Sequence, residues 1–195
     1  MKKVTLNLLI IFIAAALFSA CNNPTTNTTN VMASSSSMDS IAKSYKEKTQ
    51  AVYTAIQSGD LSKLGDIIDS NVIEHSSMLP NGTDTGLEKV TKKQMAGLKA
   101  AFPDLKIEMI NFCADSEYLY SQFRMTGTNT GPMMGMAPTG KKIDFTGIDM
   151  VRIKNGKAVE HWDYSDNTTF MKQMGMMPPP PPPADGKMED KMKAK

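Results

Sequence analysis

The stretch KIDFTGIDMVRIKNGKAVEHWDYSD, Lys142 to Asp166, constrains this chain more than any other. Two β-rich runs, Ile143 to Ile153 and Ala158 to Tyr164, flank Asn155-Gly156, a dipeptide whose residues tolerate the positive φ of a tight hairpin. The stretch carries Asp149, Glu160, His161, Asp163 and Asp166, together with the single tryptophan, Trp162. Strand side chains alternate between faces, so His161 and Asp163 share one face while Glu160, Trp162 and Tyr164 share the other. The register remains open at this level. A two-residue loop places Met150 opposite His161 and Ile148 opposite Asp163. A three-residue loop with a glycine bulge pairs Asp149 with His161 instead.

Upstream of the hairpin the hydrophobic period changes once. Ile41, Tyr45, Val52 and Ile56 recur at helical spacing and Gly59 ends the run, predicting a helix over Asp39–Ser58. A short helix is expected from Asp60, a cap candidate, through Leu64. Val72-Ile73-Glu74-His75 follows. A third helix is expected over Gly86–Phe102, burying Leu87, Val90, Met95, Leu98 and Phe102 before Pro103 stops it. From Asp104 the period is two: Leu105 to Ile110 alternates, and Tyr118–Thr128 reads as a further strand. A glycine- and methionine-rich loop spans Thr128–Lys141, and Asp166 caps a last short helix, Phe170–Met174. Helices first and an antiparallel sheet after make an α+β domain over residues 38–176.

The two ends read differently. Lys2-Lys3, an apolar run from Leu6 to Leu17 and Ser19-Ala20-Cys21 resemble a bacterial lipoprotein signal. That predicts a signal peptide over residues 1–20, lipidation of Cys21, export, and a membrane tether facing the periplasm or on the outer membrane. Residues 21–37, rich in Asn, Thr and Ser, read as a flexible linker. Residues 177–195, a proline run and a mixed-charge end, read as a disordered tail. With Cys21 acylated, Cys113 is the remaining cysteine, so the fold must rest on an apolar core. Loss of Lys2 and Lys3 cancels the formal net charge of +2, which gives no argument for a nucleic-acid partner.

Several motifs in order, Ala101-Phe102-Pro103-Asp104-Leu105, Gly127-Thr128-Asn129-Thr130-Gly131, Ala137-Pro138-Thr139-Gly140-Lys141, Arg152-Ile153 with Asn155-Gly156-Lys157, and Glu160-His161-Trp162-Asp163 with Asp166, resemble the SnoaL-like polyketide cyclase, or ester cyclase, family. The resemblance runs from about Asn71 to Gly175. It implies the nuclear transport factor two-like cone: helices packed on a curved, mostly antiparallel sheet that encloses an apolar pocket. In such cyclases a sheet aspartate exchanges a proton during an intramolecular aldol closure, without metal or organic cofactor. Asp163 matches that aspartate. Asp149 and His75 match further polar pocket positions. Asn129 stands where the family commonly has His, and it cannot titrate near neutral pH.

The expected catalytic residues are therefore Asp163, Asp149 and His161, and the expected substrate contacts are His75, Asn129 and Trp162. The resemblance implies no cofactor, and no metal is expected, since His75 and His161 show no ligand spacing. The expected partners are a small apolar ligand or substrate and, through Cys21, the membrane, with a homodimer as an open alternative to a monomer. Three functions are consistent with the residues. The first is proton-transfer chemistry on a small apolar carbonyl compound by a cyclase- or isomerase-type enzyme. The second is a non-catalytic carrier using the same pocket. The third is copper(I) binding by Met133-Met134-Gly135-Met136 and Met174-Gly175-Met176-Met177. Methionines can equally form an adaptable lid over a pocket.

Overall fold

A computed structural model describes residues 28–77 and 79–177. The signal peptide, Cys21 and the tail from Pro178 lie outside the described residues. By internal contacts the chain falls into two units, Met1–Ser40 and Ile41–Lys195. The first contributes to the described residues only the N-terminal part of helix α1, Thr28–Ser58. This helix begins upstream of the expected Asp39, so residues 28–37, expected as part of a flexible spacer, are helical. Neither Gly nor Pro interrupts Thr28–Ser58, and nothing in that run stops the helical backbone.

In the second unit α1 is followed by α2 (Leu64–Ile67), β1 (Ile68–Ser76), β2 (Thr83–Thr85), a π-helical turn (Leu87–Thr91), α3 (Lys92–Ala101), β3 (Lys106–Ala114), β4 (Tyr118–Thr128), β5 (Lys142–Lys154), β6 (Lys157–Ser165) and α4 (Asn167–Met174). The expected third helix is thus a wide turn that tightens into an α-helix. Asp60 does not cap α2; it accepts from the Ser62 amide and hydroxyl in the turn before it. Asp166 does cap α4, accepting from the Thr169 amide at 3.0 Å, and Gly175 closes that helix in the left-handed conformation at φ 72°.

The six strands form one curved, unclosed sheet in the order β2-β1-β6-β5-β4-β3. All neighbours are antiparallel except β1 and β6, which run parallel. The inner face of β4 shows the period-two rule, with Leu119, Ser121, Phe123 and Met125 all buried. Phe123 and Met125 pack with Tyr53 and Ile56 of α1, Phe102, Phe145 of β5, and Phe170 and Met174 of α4. The Phe170 ring meets those of Phe145 and Phe102 edge-on, at centroid distances of 5.4 and 6.5 Å. Each buried phenylalanine contributes about 1.5–3 kcal/mol, so this cluster is the main tie between helices and sheet. A smaller cluster of Leu64, Ile68, Val72 and Leu87 holds the β1 end.

Candidate active site

The β5–β6 turn is a two-residue one, with Asn155 at φ 52° and Gly156 at φ 74°. The ladder starts as that turn dictates, Lys154 opposite Lys157 and Ile153 opposite Ala158. It then shifts, and Arg152 pairs with Glu160, leaving Val159 as a bulge. Neither register anticipated from the sequence survives this shift. His161 stands opposite Val151, and Asp149 stands opposite Asp163. The extra residue keeps all three ionisable side chains on one face, because strand parity is reset at the bulge. Strand β1 completes the floor: its parallel pairing sets Glu74 beside His161 and Ser76 beside Asp163.

These groups form a continuous hydrogen-bonded string. Glu74 Oε2 lies 2.6 Å from His161 Nδ1, and Asp149 Oδ1 lies 3.1 Å from His161 Nε2. The Tyr53 hydroxyl donates to Asp149 Oδ2 at 2.6 Å and lies 3.0 Å from Ser121 Oγ. The Thr91 hydroxyl donates to Glu74 Oε1 at 2.6 Å. Burial alone would lower the basicity of His161, but hydrogen bonds and charge from Asp149 and Glu74 outweigh it. The ring is held well above its ordinary 6.5. Burial pushes the Glu74 carboxyl up, yet His161 and then Thr91 bring it below its ordinary 4.5. The Tyr53 phenol is raised far above its ordinary 10.0, by burial first and then by the Asp149 charge, and it stays a donor.

Asp163 differs from its neighbours. Its Oδ1 accepts from Ser165 Oγ at 2.5 Å and its Oδ2 from Ser76 Oγ at 3.2 Å. Among the described residues it takes part in no ion pair. It faces a cavity of about 460 Å³ whose walls include Val52, Ile56, Leu98, Phe123, Phe145 and Val151. Met133 and Met134 of the 129–141 loop also line it. The volume suits a small organic molecule, largely wrapped by apolar surface with a polar floor at one side.

The expected catalytic trio, Asp163, Asp149 and His161, therefore lines the cavity together. The expected substrate contacts do not line this cavity. His75 and Trp162 stand on the outer face of the sheet, stacked at 4.9 Å with an interplanar angle of 7°. His75 Nε2 lies 2.8 Å from Glu160 Oε1, and Arg152 Nε donates to Glu160 Oε2 at 2.9 Å. His75, and then Arg152, hold the Glu160 carboxyl below its ordinary 4.5. Strand alternation is the reason: Glu74 and His161 take the inner parity, so His75 and Trp162 must take the outer one. Ile148 and Met150 share that outer parity, and the apolar wall comes from Phe145 and the methionine loop.

Asn129 is 1 % exposed and does not line the cavity. Its amide donates to the Gly131 and Ala101 carbonyls, and its carbonyl accepts from the Thr139 amide at 2.7 Å, which pins the base of the loop. The methionine clusters divide between core and surface. Met174 is buried and Met133 packs on the core, whereas Met134, Met136 and Met177 are exposed. Glu74, Tyr53, Ser76 and Ser165 were not anticipated from sequence. Glu74 did leave a signal, as a charged residue at the same strand parity as the apolar Val72. Tyr53 left none beyond membership of an amphipathic helix.

Helices packed on a curved, unclosed, mostly antiparallel sheet give the nuclear transport factor two-like fold. Residues 46–174 match the family SnoaL-like polyketide cyclase, and the chain belongs to it. Solved structures agree. AclR from Streptomyces galilaeus is 25% identical, with a TM-score of 0.60 over 70% of this chain and 99% of its own. IdmH from Streptomyces antibioticus is 26% identical, with a TM-score of 0.55 over 67% of this chain and 97% of its own. TsrD from Streptomyces laurentii shares the fold, with 18% identity and a TM-score of 0.62 over 69% of this chain and 97% of its own. No curated protein matches the sequence.

Proposed function

We propose that this protein binds a small, largely apolar carbonyl compound and catalyses proton transfer on it, with Asp163 as the general base of a cyclase- or isomerase-type reaction. The carrying observation is the contrast among the floor carboxylates. Glu74 and Asp149 each spend both oxygens on His161 and a buried hydroxyl, while Asp163 faces the apolar cavity held by two serine hydroxyls. In this reading Asp163 takes a proton from the carbon next to the carbonyl, leaving an enolate. The enolate either takes the proton back on a different carbon of its conjugated system or bonds through its α carbon to a second carbonyl carbon of the same molecule. In the second case the resulting alkoxide takes the proton back from Asp163. Ser165 and Ser76 orient the carboxylate, and the apolar walls exclude water that would compete for the proton.

The test is deuterium uptake from heavy water into an apolar enolisable ketone, 2-tetralone, followed by mass spectrometry. Asp163→Asn keeps the shape and removes the proton acceptor, so exchange should fall by ~100-fold or more while the melting temperature holds. Full exchange in a folded Asn variant would remove Asp163 as the base. Binding without exchange in the unaltered protein would favour a carrier. The same proposal includes export and attachment to the cell envelope through Cys21, on the strength of the Ser19-Ala20-Cys21 junction.

A further inference from the structure

Both nitrogens of His161 face carboxylate oxygens, Glu74 at 2.6 Å and Asp149 at 3.1 Å. An ionised carboxylate only accepts, so each nitrogen must carry a hydrogen and donate it. A ring in that state has no lone pair with which to take a proton. It also has no spare N–H to give to a ligand. About a quarter of the side chain, 27%, is nevertheless exposed, and the residue lines the cavity. The charge reaches the cavity although the protons do not.

We propose that His161 is a fixed cation of the cavity floor, one that favours negative charge forming on a ligand oxygen but moves no proton, and that Glu74 is the positioning residue that holds it so. The proposal rests on the reading of Asp163 as the base, since an enolate is the anion such a charge would stabilise. It removes His161 from the expected proton-transfer residues and assigns Glu74 a role. The ligand class narrows accordingly to compounds whose carbonyl oxygen becomes anionic during reaction.

The surroundings agree from every side. Glu74 on β1 and Asp149 on β5 clamp the ring, and Asp163 lies two residues further along β6 on the same face. Tyr53 of α1 stands behind Asp149, and Thr91 of the π-helical turn stands behind Glu74. Lys48, the other cation of the lining, donates to the Gly156 carbonyl at 2.7 Å. Glu74 is the tighter clamp. It is 3% exposed and makes the shorter contact. The strong upward displacement of the ring's basicity accords with this geometry.

The decisive measurement is nitrogen NMR of the histidine rings in the full chain. His75→Gln assigns the two ring systems, and spectra run from about pH 5.5 to about 8.5, bracketing the ordinary histidine range. The expected result is that both His161 nitrogens stay protonated throughout. A ring that loses its proton inside that window overturns the proposal. In Glu74→Gln, nearly isosteric and still able to accept from Thr91, His161 should begin to titrate within the window. Its rate of deuterium exchange into 2-tetralone should then fall by about tenfold or more above the new titration point, with little change below it or in KM, on the scale usual for losing an orienting partner. An unchanged His161 in this variant removes Glu74 from the role. Glu74→Asp, which restores the carboxylate, should restore the protonated ring, and failure to do so also counts against the assignment. A fixed imidazolium in a protein that exchanges no deuterium supports the fixed cation and counts against Asp163 chemistry, so the two failures stay separate.

Discussion

Asp149 and Asp163 stand opposite each other across the β5–β6 ladder, yet their surroundings give them different work. Asp149 is bound to the His161 ring and a phenol, which occupy both oxygens. Asp163 is bound to two neutral hydroxyls, which orient it and leave it facing the ligand space. The His161–Glu74 pair also has consequences for stability. Glu74 has its folded value below the ordinary 4.5, so its contribution is fully present above 4.5 and lost as pH falls through the folded value. His161 has its folded value well above the ordinary 6.5. Its contribution is therefore full below 6.5 and lost as pH rises through the folded value. The melting temperature should peak between 4.5 and 6.5 and decline on both sides. Melts across pH should show His161→Gln flattening the alkaline limb and Glu74→Gln the acid one. A wild-type alkaline limb that His161→Gln leaves unaltered would contradict this.

At the scale of elements, the loop from Asn129 to Lys141 depends on one close approach. The Thr130 and Gly131 amides both donate to the Ala101 carbonyl at the end of α3. A Cβ on Gly131 would lie 2.0 Å from the Ala100 carbonyl oxygen, a backbone atom that cannot swing away. Gly131→Ala should cost about 1–3 kcal/mol by urea denaturation, the usual scale of overpacking. It should also displace Met133 and Met134 from the cavity rim and weaken ligand binding. Gly97, inside α3 with nothing within 4 Å of its would-be Cβ, is the contrast. Gly97→Ala should be neutral or stabilise by up to about 1 kcal/mol. Equal losses in both variants would mean that helix backbone, not loop approach, controls the response.

For the whole molecule, the sheet separates two environments. Its inner face carries the cavity and the ionisable string. Its outer face carries the His75–Trp162 stack and exposes Tyr120, Ile148 and Tyr164. The proposed attachment through Cys21 places this domain at a membrane surface by acyl chains, and no helix among the described residues is long and apolar enough to cross one. One acyl chain binds marginally and several bind stably, so Cys21→Ser should move the protein from the membrane pellet to the soluble fraction. A variant that still pellets wholly with membranes would refute the lipidation.

The sequence by itself determined α1, α3 and the strands after Asp104. It did not determine β2, whose three residues are all exposed, nor that β1 and β2 precede α3 where helices first and sheet after were expected. The change of period at Asp104, the Asn155-Gly156 turn, the Asp166 cap and the Pro103 stop are local signals, and each lies where the structure has it. Alternation along β6 also separated His161 and Asp163 from Trp162, because that rule needs only the strand. Tertiary structure decided the rest. The Val159 bulge, the parallel pairing of β1 with β6 and the approach of Tyr53 from α1 bring together residues far apart in the chain. No local spacing encodes those distances. Glu74 and Tyr53 therefore became site residues only once the strands were paired, and His75 and Trp162 fell outside the cavity lining for the same reason. Register and packing are set by the sum of many weak contacts across the core, which a single strand's pattern does not contain.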